Sequence, residues 1–186
     1  MPKERIDVPE LYPTAGYTNA VMAGGMLFTS GIIPRDAAGK TVGENDFATQ
    51  AHQVYKNLAT ILNAAGASWD DVAKYNAYVA RAEDWAQSRS IHHEYLSVGQ
   101  SAGSTIVTPL MLPDLLYELD IIAPIGRPKH CVPGAVTVDN TIYLDAQPGV
   151  SGELRAQVES MYQGFGQVLK ASGAGWGDLV WSYGYV

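Results

Sequence analysis

The chain has one cysteine, Cys131, among 186 residues, so no intrachain disulfide is possible. That suits a reducing compartment. Basic residues are scarce, with twelve Lys and Arg against nineteen Asp and Glu and a formal net charge of -7. A field of that sign repels phosphate backbones, and no local basic cluster offsets it, so nucleic-acid binding is not expected. Long hydrophobic runs are missing. None approaches the roughly 20 residues that span a bilayer. Met1-Pro2-Lys3-Glu4-Arg5 is charged and no apolar segment follows, so no signal peptide is expected. These absences point to a soluble, cytoplasmic protein without a membrane partner. What is abundant is apolar sequence, 47% of residues, enough to build a packed core.

The strongest positive signal is a repetition. Gln50, Tyr55, Leu62, Gly66-Ala67, Trp69, Asp71 and Tyr78-Val79 recur at a fixed offset as Gln157, Tyr162, Leu169, Gly173-Ala174, Trp176, Asp178 and Tyr185-Val186. Self-similarity of this kind bears on architecture before any single residue does.

The first copy reads as strand, strand, helix, strand, helix, strand, strand. Tyr17 to Ala23 and Met26 to Ser30 form a hairpin about Gly24-Gly25. Asp46 caps a helix whose apolar face is Ala51, Val54, Tyr55, Leu58, Ile61, Leu62 and Ala65, and Gly66 ends it. Val72 to Ala80 alternates as a strand. A second helix runs from Asp84 to about Val98. Strands follow at Ser104 to Leu110 and Tyr117 to Ala123, with a turn at Leu112-Pro113 between them. Two helices then cover one face of a mixed sheet, and oligomerisation is the expected cover for the other.

The stretch from Pro124 to Pro133 reads as a linker. A second hairpin, 135–138 with 141–144, and a helix from about Gly152 to Ser172 follow. Asp178 to Val186 is expected to repeat the third strand. Nothing after it matches the second helix or the last two strands. The unmet surfaces predict a partner chain, a missing segment or an edge strand that pairs with a neighbour.

Several local patterns invite chemistry and are better read as structure. Adjacent side chains on a helix diverge by about 100°, so His92-His93-Glu94 is a poor metal site. His130-Cys131 pairs a base and a thiol only by adjacency. Gly24-Gly25 is too short to cradle phosphate. Trp69 and Trp176 recur at one repeat position, which favours packing at a helix–strand corner.

Residues 16–123 resemble the RidA/YjgF family of imine and enamine deaminases, once labelled L-PSP endoribonucleases. The resemblance rests on Gly16-Tyr17, Leu27-Phe28-Thr29-Ser30-Gly31, Gln50 through Leu62, Ala64-Ala65-Gly66-Ala67, Asp71-Val72, Asp84-Trp85-Ala86, Leu112-Pro113 and Glu118 through Ala123. It implies a chorismate-mutase-like α+β fold, with a mixed sheet and two helices on one face, followed by a partial second copy. The implied divisions are a RidA-like domain over 1–126, a linker over 127–133 and a partial repeat over 134–186. The family also implies a homotrimer or pseudo-symmetric assembly with clefts between subunits, and a small-molecule substrate. Its chemistry calls for no metal or cofactor.

The resemblance carries over residue by residue. The family tyrosine falls on Tyr17, the Ser-Gly at the strand end on Ser30 and Gly31, and the catalytic glutamate on Glu118. The carboxylate-clamping arginine falls on Ser104, its neighbouring cysteine on Ile106 and a helix asparagine on Arg89. A guanidinium forks onto a carboxylate in a way a serine cannot reproduce. The implied activity is therefore hydrolysis of an imine, enamine or related small molecule other than the usual 2-imino acids, with Arg89 a candidate displaced clamp. The alternative is a module that binds or senses a small metabolite without catalysis. In the second copy Asp145-Ala146-Gln147 replaces Ser30-Gly31-Ile32, and a scaffold role is favoured over a second site.

Overall fold

A computed structural model describes residues 2–145, 150–180 and 182. Nine strands and three helices occur among them: β1 Glu4–Ile6, β2 Ala20–Ala23, β3 Met26–Thr29, α1 Phe47–Ala64, β4 Lys74–Val79, α2 Trp85–Tyr95, β5 Ala102–Val107, β6 Tyr117–Pro124, β7 Lys129–Val132, β8 Ala135–Val138, β9 Thr141–Leu144 and α3 Leu154–Ala171. Six strands form a mixed sheet in the order β1-β2-β3-β6-β4-β5, and β7-β8-β9 form a second sheet. Only β4 and β5 run parallel, as the crossover through α2 requires.

Helix α1 forms where its pattern and caps agree. Asp46 accepts a hydrogen bond from the Thr49 amide at 3.2 Å and one from the Thr49 hydroxyl at 2.7 Å. Gly66, at φ +70°, carries the chain out of the helix in a conformation that a Cβ would strain. The face Phe47, Ala51, Val54, Tyr55, Leu58, Ile61 and Leu62 is buried against the sheet. Each large apolar side chain there contributes about 1.5–3 kcal/mol by leaving water.

Two polar residues on that buried face hold loops in place. The Gln50 amide nitrogen donates to the carbonyls of Gly43, at 3.1 Å, and Asp114, at 2.7 Å, while its oxygen accepts from the Leu116 amide at 2.7 Å. Asn57 donates to the carbonyls of Ile33, at 3.1 Å, and Arg35, at 2.9 Å. The loops so fixed follow β3 and precede β6, the two strand ends that carry Gly31 and Glu118.

The second half has the same order of elements: three antiparallel strands, an 18-residue helix, a glycine at positive φ and a short 3-10 turn that begins at a tryptophan. Asp71 closes its turn on the Ser68 amide at 2.7 Å, and Asp178 closes its own on the Gly175 amide at 2.9 Å. Burial separates the halves. Of α3 only Leu169 is buried, and Leu154 and Tyr162 stay exposed. The second sheet sits beside the β4–β5 side of the first. Val136 and Val138 cluster with Ala73 and Ala102. The Lys129 ammonium donates to the carbonyls of Val72, at 2.8 Å, and Gln100, at 2.6 Å.

Several boundaries depart from expectation. Lys129–Val132, expected within a linker, is strand β7, because it pairs with β8 as β1 pairs with β2. Charged, three-residue β1 carries no hydrophobic alternation and is held by its pairing alone. Tyr17 precedes β2 rather than starting it, since pairing with β3 begins at Ala20. Strand β5 starts two residues early, at Ala102-Gly103, and ends at Val107. Helix α2 ends at Tyr95. Of the expected last strand, 178–186, Asp178 lies in the 3-10 turn and 179, 180 and 182 are not strand. Positions 181 and 183–186 lie outside the described residues.

Candidate active site and relatives

A one-residue slip in the sheet builds the site. Strand β3 pairs with β6 through Phe28↔Ile122, and pairing resumes as Ile32↔Leu119. Thr29, Ser30 and Gly31 therefore oppose only Ile121 and Asp120, which is a bulge. The Ile121 amide, deprived of a backbone acceptor, donates to the Thr29 hydroxyl at 2.9 Å. Beyond the bulge, Ile32 and Leu119 exchange amide–carbonyl bonds of 2.9 and 3.1 Å, which fixes Gly31 beside Glu118.

The Glu118 carboxylate lies directly over the Gly31 Cα, where any Cβ would collide with it. Burial first, and the nearby Asp120 second, raise the Glu118 carboxyl above the usual carboxylate range. Such a group exchanges protons closer to neutrality than an exposed glutamate. Ser30 is tied back, its amide donating to the Asn19 carbonyl at 2.9 Å. Tyr17 is half exposed, and the Thr14 hydroxyl donates to its carbonyl at 2.7 Å.

Three further groups at this end were not among the residues expected from the sequence. The buried Tyr12 hydroxyl accepts from the Ile33 amide at 3.4 Å, and burial pushes Tyr12 up to about 12. Tyr17, Arg35 and Glu118 all act electrostatically on that hydroxyl. Asp120 is held by the Asn76 amide at 2.9 Å and the Tyr78 hydroxyl at 3.3 Å, yet burial still raises its carboxyl. Period-two alternation could have flagged Asp120, which shares the Glu118 face. Tyr12 and Arg35 sit in loops, where only the folded chain brings them together.

The remaining expected residues divide between the two sheet faces. Ile106 stands level with Tyr78 and Glu118, and Ser104 with Asn76 and Asp120, so both share the Glu118 face. Two inter-strand steps, roughly 10 Å, separate Ile106 from Glu118. Arg89 lies on the helix-covered side, in a cavity with Tyr75, Ala77, Gly103 and Thr105. The structure thus gathers Glu118, Gly31, Ser30 and Tyr17 at one end and sets Arg89 apart.

Residues 4–124 have the α+β architecture of the RidA fold, with the strand-end carboxylate at its bulge. The chain belongs to the family described as endoribonuclease L-PSP, whose sequence model matches residues 8–125. A RutC family protein from Synechocystis sp. is 34% identical over 113 residues, covering 60% of this chain and 87% of that protein. YyfA from Yersinia pestis, a conserved Rid-family protein of unknown function, matches with a TM-score of 0.63 at 28% identity, over 67% of this chain and 100% of its own. E. coli TdcF, solved with bound serine, matches with a TM-score of 0.58 at 25% identity, over 65% of this chain and 98% of its own. The family match stops at residue 125, before β7. No helix among the described residues is long and apolar enough to cross a membrane.

Proposed function

We propose that the chain hydrolyses an imine, an enamine or a related small molecule. The observation that carries this reading is the half-buried Glu118 carboxylate, raised above the usual carboxylate range by burial and laid over Gly31. A carboxylate there can take a proton from water as the water oxygen bonds to the imine carbon. Returning that proton to nitrogen gives a carbinolamine, and a second transfer through the same carboxyl, from the new hydroxyl to nitrogen, breaks the C–N bond, forms the carbonyl and releases ammonia. Tyr17 and the Ser30–Gly31 strand end shape the cleft. An enamine must first tautomerise to the imine.

Ser104 in place of a guanidinium argues against the usual 2-imino acids, because a hydroxyl cannot fork onto their carboxylate. Ser104 and Ile106 lie two strands from Glu118 within one chain. A homo-oligomer, expected to be a trimer, would let the β5 face of one copy complete the Glu118 end of another. The same element order in both halves supports reading residues 134–186 as a partial repeat, which takes the place of a neighbouring subunit beside β4 and β5.

Loss of the arginine also favours a second reading, a module that binds a small metabolite without turnover. An imine-hydrolysis assay on amino-acid-oxidase products separates the two. Ammonia release that Glu118→Gln abolishes, with the melting curve retained, is the expected result. Equal turnover by Glu118→Gln would remove the proposed role. No turnover by the unmodified chain would favour the binding module.

A further inference from the structure

An aromatic corner that is closed in the first half of the chain stands open in the second. In the first half the Tyr55 and Trp69 rings meet with centroids 5.6 Å apart and planes at 59°. Helix α2 completes the corner. Its Tyr95 lies flat on Tyr55, with centroids 4.2 Å apart and planes 2° from parallel, and stands 5.8 Å from Trp69. Two polar contacts fix the helix there. The Tyr95 hydroxyl shares a hydrogen bond of 2.8 Å with His52 Nδ1. His92, three residues before Tyr95, shares one of 2.8 Å with the Tyr55 hydroxyl. Tyr55 is thereby 0% exposed.

At the offset of the sequence repetition, Tyr162 and Trp176 stand for Tyr55 and Trp69. Their rings meet in nearly the same way, with centroids 5.8 Å apart and planes at 49°. Phe165 adds a third ring, 6.4 Å from Tyr162. Helix α3 carries Tyr162, and the 3-10 turn that Asp178 closes on Gly175 carries Trp176, so the corner is preformed. Yet Tyr162 is 51% exposed and Trp176 is 49% exposed. Among the described residues the ring neighbours of Tyr162 are Phe165 and Trp176, both from the second half, and no ring plays the part of Tyr95.

The rim of the corner defines what fits it. Glu159 stands where His52 stands in the first half. An ionised carboxylate only accepts hydrogen bonds, so the group that meets it must donate, as a phenol hydroxyl does. The carboxylate accepts from Arg155 Nε at 2.8 Å, and its two oxygens have capacity for a second donor. Tyr162 offers the hydroxyl that His92 meets in the first half. The net charge of -7 favours a partner with a basic outer face.

We propose that the Tyr162–Trp176 corner docks an amphipathic helix of a separate polypeptide, one that carries a tyrosine and, three residues before it, a hydrogen-bonding side chain. The tyrosine ring lies on Tyr162 and its hydroxyl donates to Glu159, in a helix-in-groove mode of recognition. A second copy of this chain does not offer α2 for the purpose, because its Tyr95 is already stacked on its own Tyr55. The surface lies outside the family match, shares no residue with the Glu118 end and does not depend on catalysis there.

The test is a nuclear magnetic resonance titration of the isotope-labelled full chain with an unlabelled, helix-stapled peptide of residues 82–98, which spans α2. A saturable shift of the Trp176 indole N–H is expected, with the Trp69 indole unmoved and amide exchange slowed along α3. A peptide carrying Tyr95→Ala should bind at least about tenfold more weakly, and so should the Tyr162→Ala chain. Tyr162 is half exposed, so its replacement should retain the melting curve, and Glu159→Gln gives a second, milder variant that should also weaken binding. Glu118→Gln should leave binding unchanged. Absence of any Trp176 shift at about 1 mM peptide overturns the proposal. A shift at Trp69 instead, which means exchange with the chain's own α2, overturns it too, as does equal binding by Tyr162→Ala. Sedimentation equilibrium of the chain alone covers the competing occupant: an oligomer that Tyr162→Ala dissociates would assign the corner to a second copy and overturn the proposal.

Discussion

Glu118 and Gly31 occupy each other's space: the carboxylate of one fills the volume where the other would carry a side chain. Gly31→Ala should therefore displace Glu118, at a cost of about 1–3 kcal/mol for overpacking. Turnover should fall with it, although no catalytic group is removed. Denaturant unfolding and activity measured on Gly31→Ala, Glu118→Ala and the double variant check this. The double variant should regain most of the stability, as expected for residues in contact.

Stability should respond to pH at both ends of the molecule with opposite signs. Glu118 has a raised carboxyl, so its protonated form suits the fold. Its contribution is present below the unfolded value near 4.3 and is lost as pH rises through the folded value. Glu118→Gln should remove that loss and melt higher than the unmodified chain at neutral pH. His92 is lowered to about 4, so the fold prefers its neutral ring. Stability is lost as pH falls from about 6.5 towards about 4. Melting temperatures from pH 4 to 8 resolve the two, since Glu118→Gln alters the upper part of the carboxylate window and leaves the imidazole slope.

The buried Tyr55 hydroxyl serves two buried partners, His92 and Tyr117. Tyr55→Phe keeps the ring stacked on Tyr95, whose centroid is 4.2 Å away, and removes only the oxygen. Two buried polar groups then each lose a partner, which should cost about 1–3 kcal/mol. A two-dimensional NMR spectrum should show the His92 ring resonances shifting or broadening while those of the exposed His93 stay in place.

Helix α1, strand β4 and the Glu118 strand were legible because hydrophobic period, caps and turn residues agreed there. Strand β1 and strand β7 were not, because three or four residues held by pairing leave little periodic trace. The bulge was also hidden. Nothing in Thr29-Ser30-Gly31 says that the register slips by one, yet that slip sets Gly31 against Glu118. Resemblance to a family pointed to Tyr17, Ser30, Gly31 and Glu118 as candidates, while Tyr12 and Arg35 come near them only through the folded loops. The sheet alternation that places Ser104 with Glu118 also places Arg89 behind the sheet, a separation that a linear alignment of functional positions does not display.

Helices α1 and α3 are equal in length and similar in pattern, yet one is enclosed and the other is half-buried along one side, with only Leu169 fully covered. Amide exchange will therefore run on two scales, with α1 opening only when the whole core opens and α3 opening locally at a small free-energy cost. Thermal or chemical unfolding of this chain is then a sequence of steps, and a single midpoint averages over events that involve different parts of it.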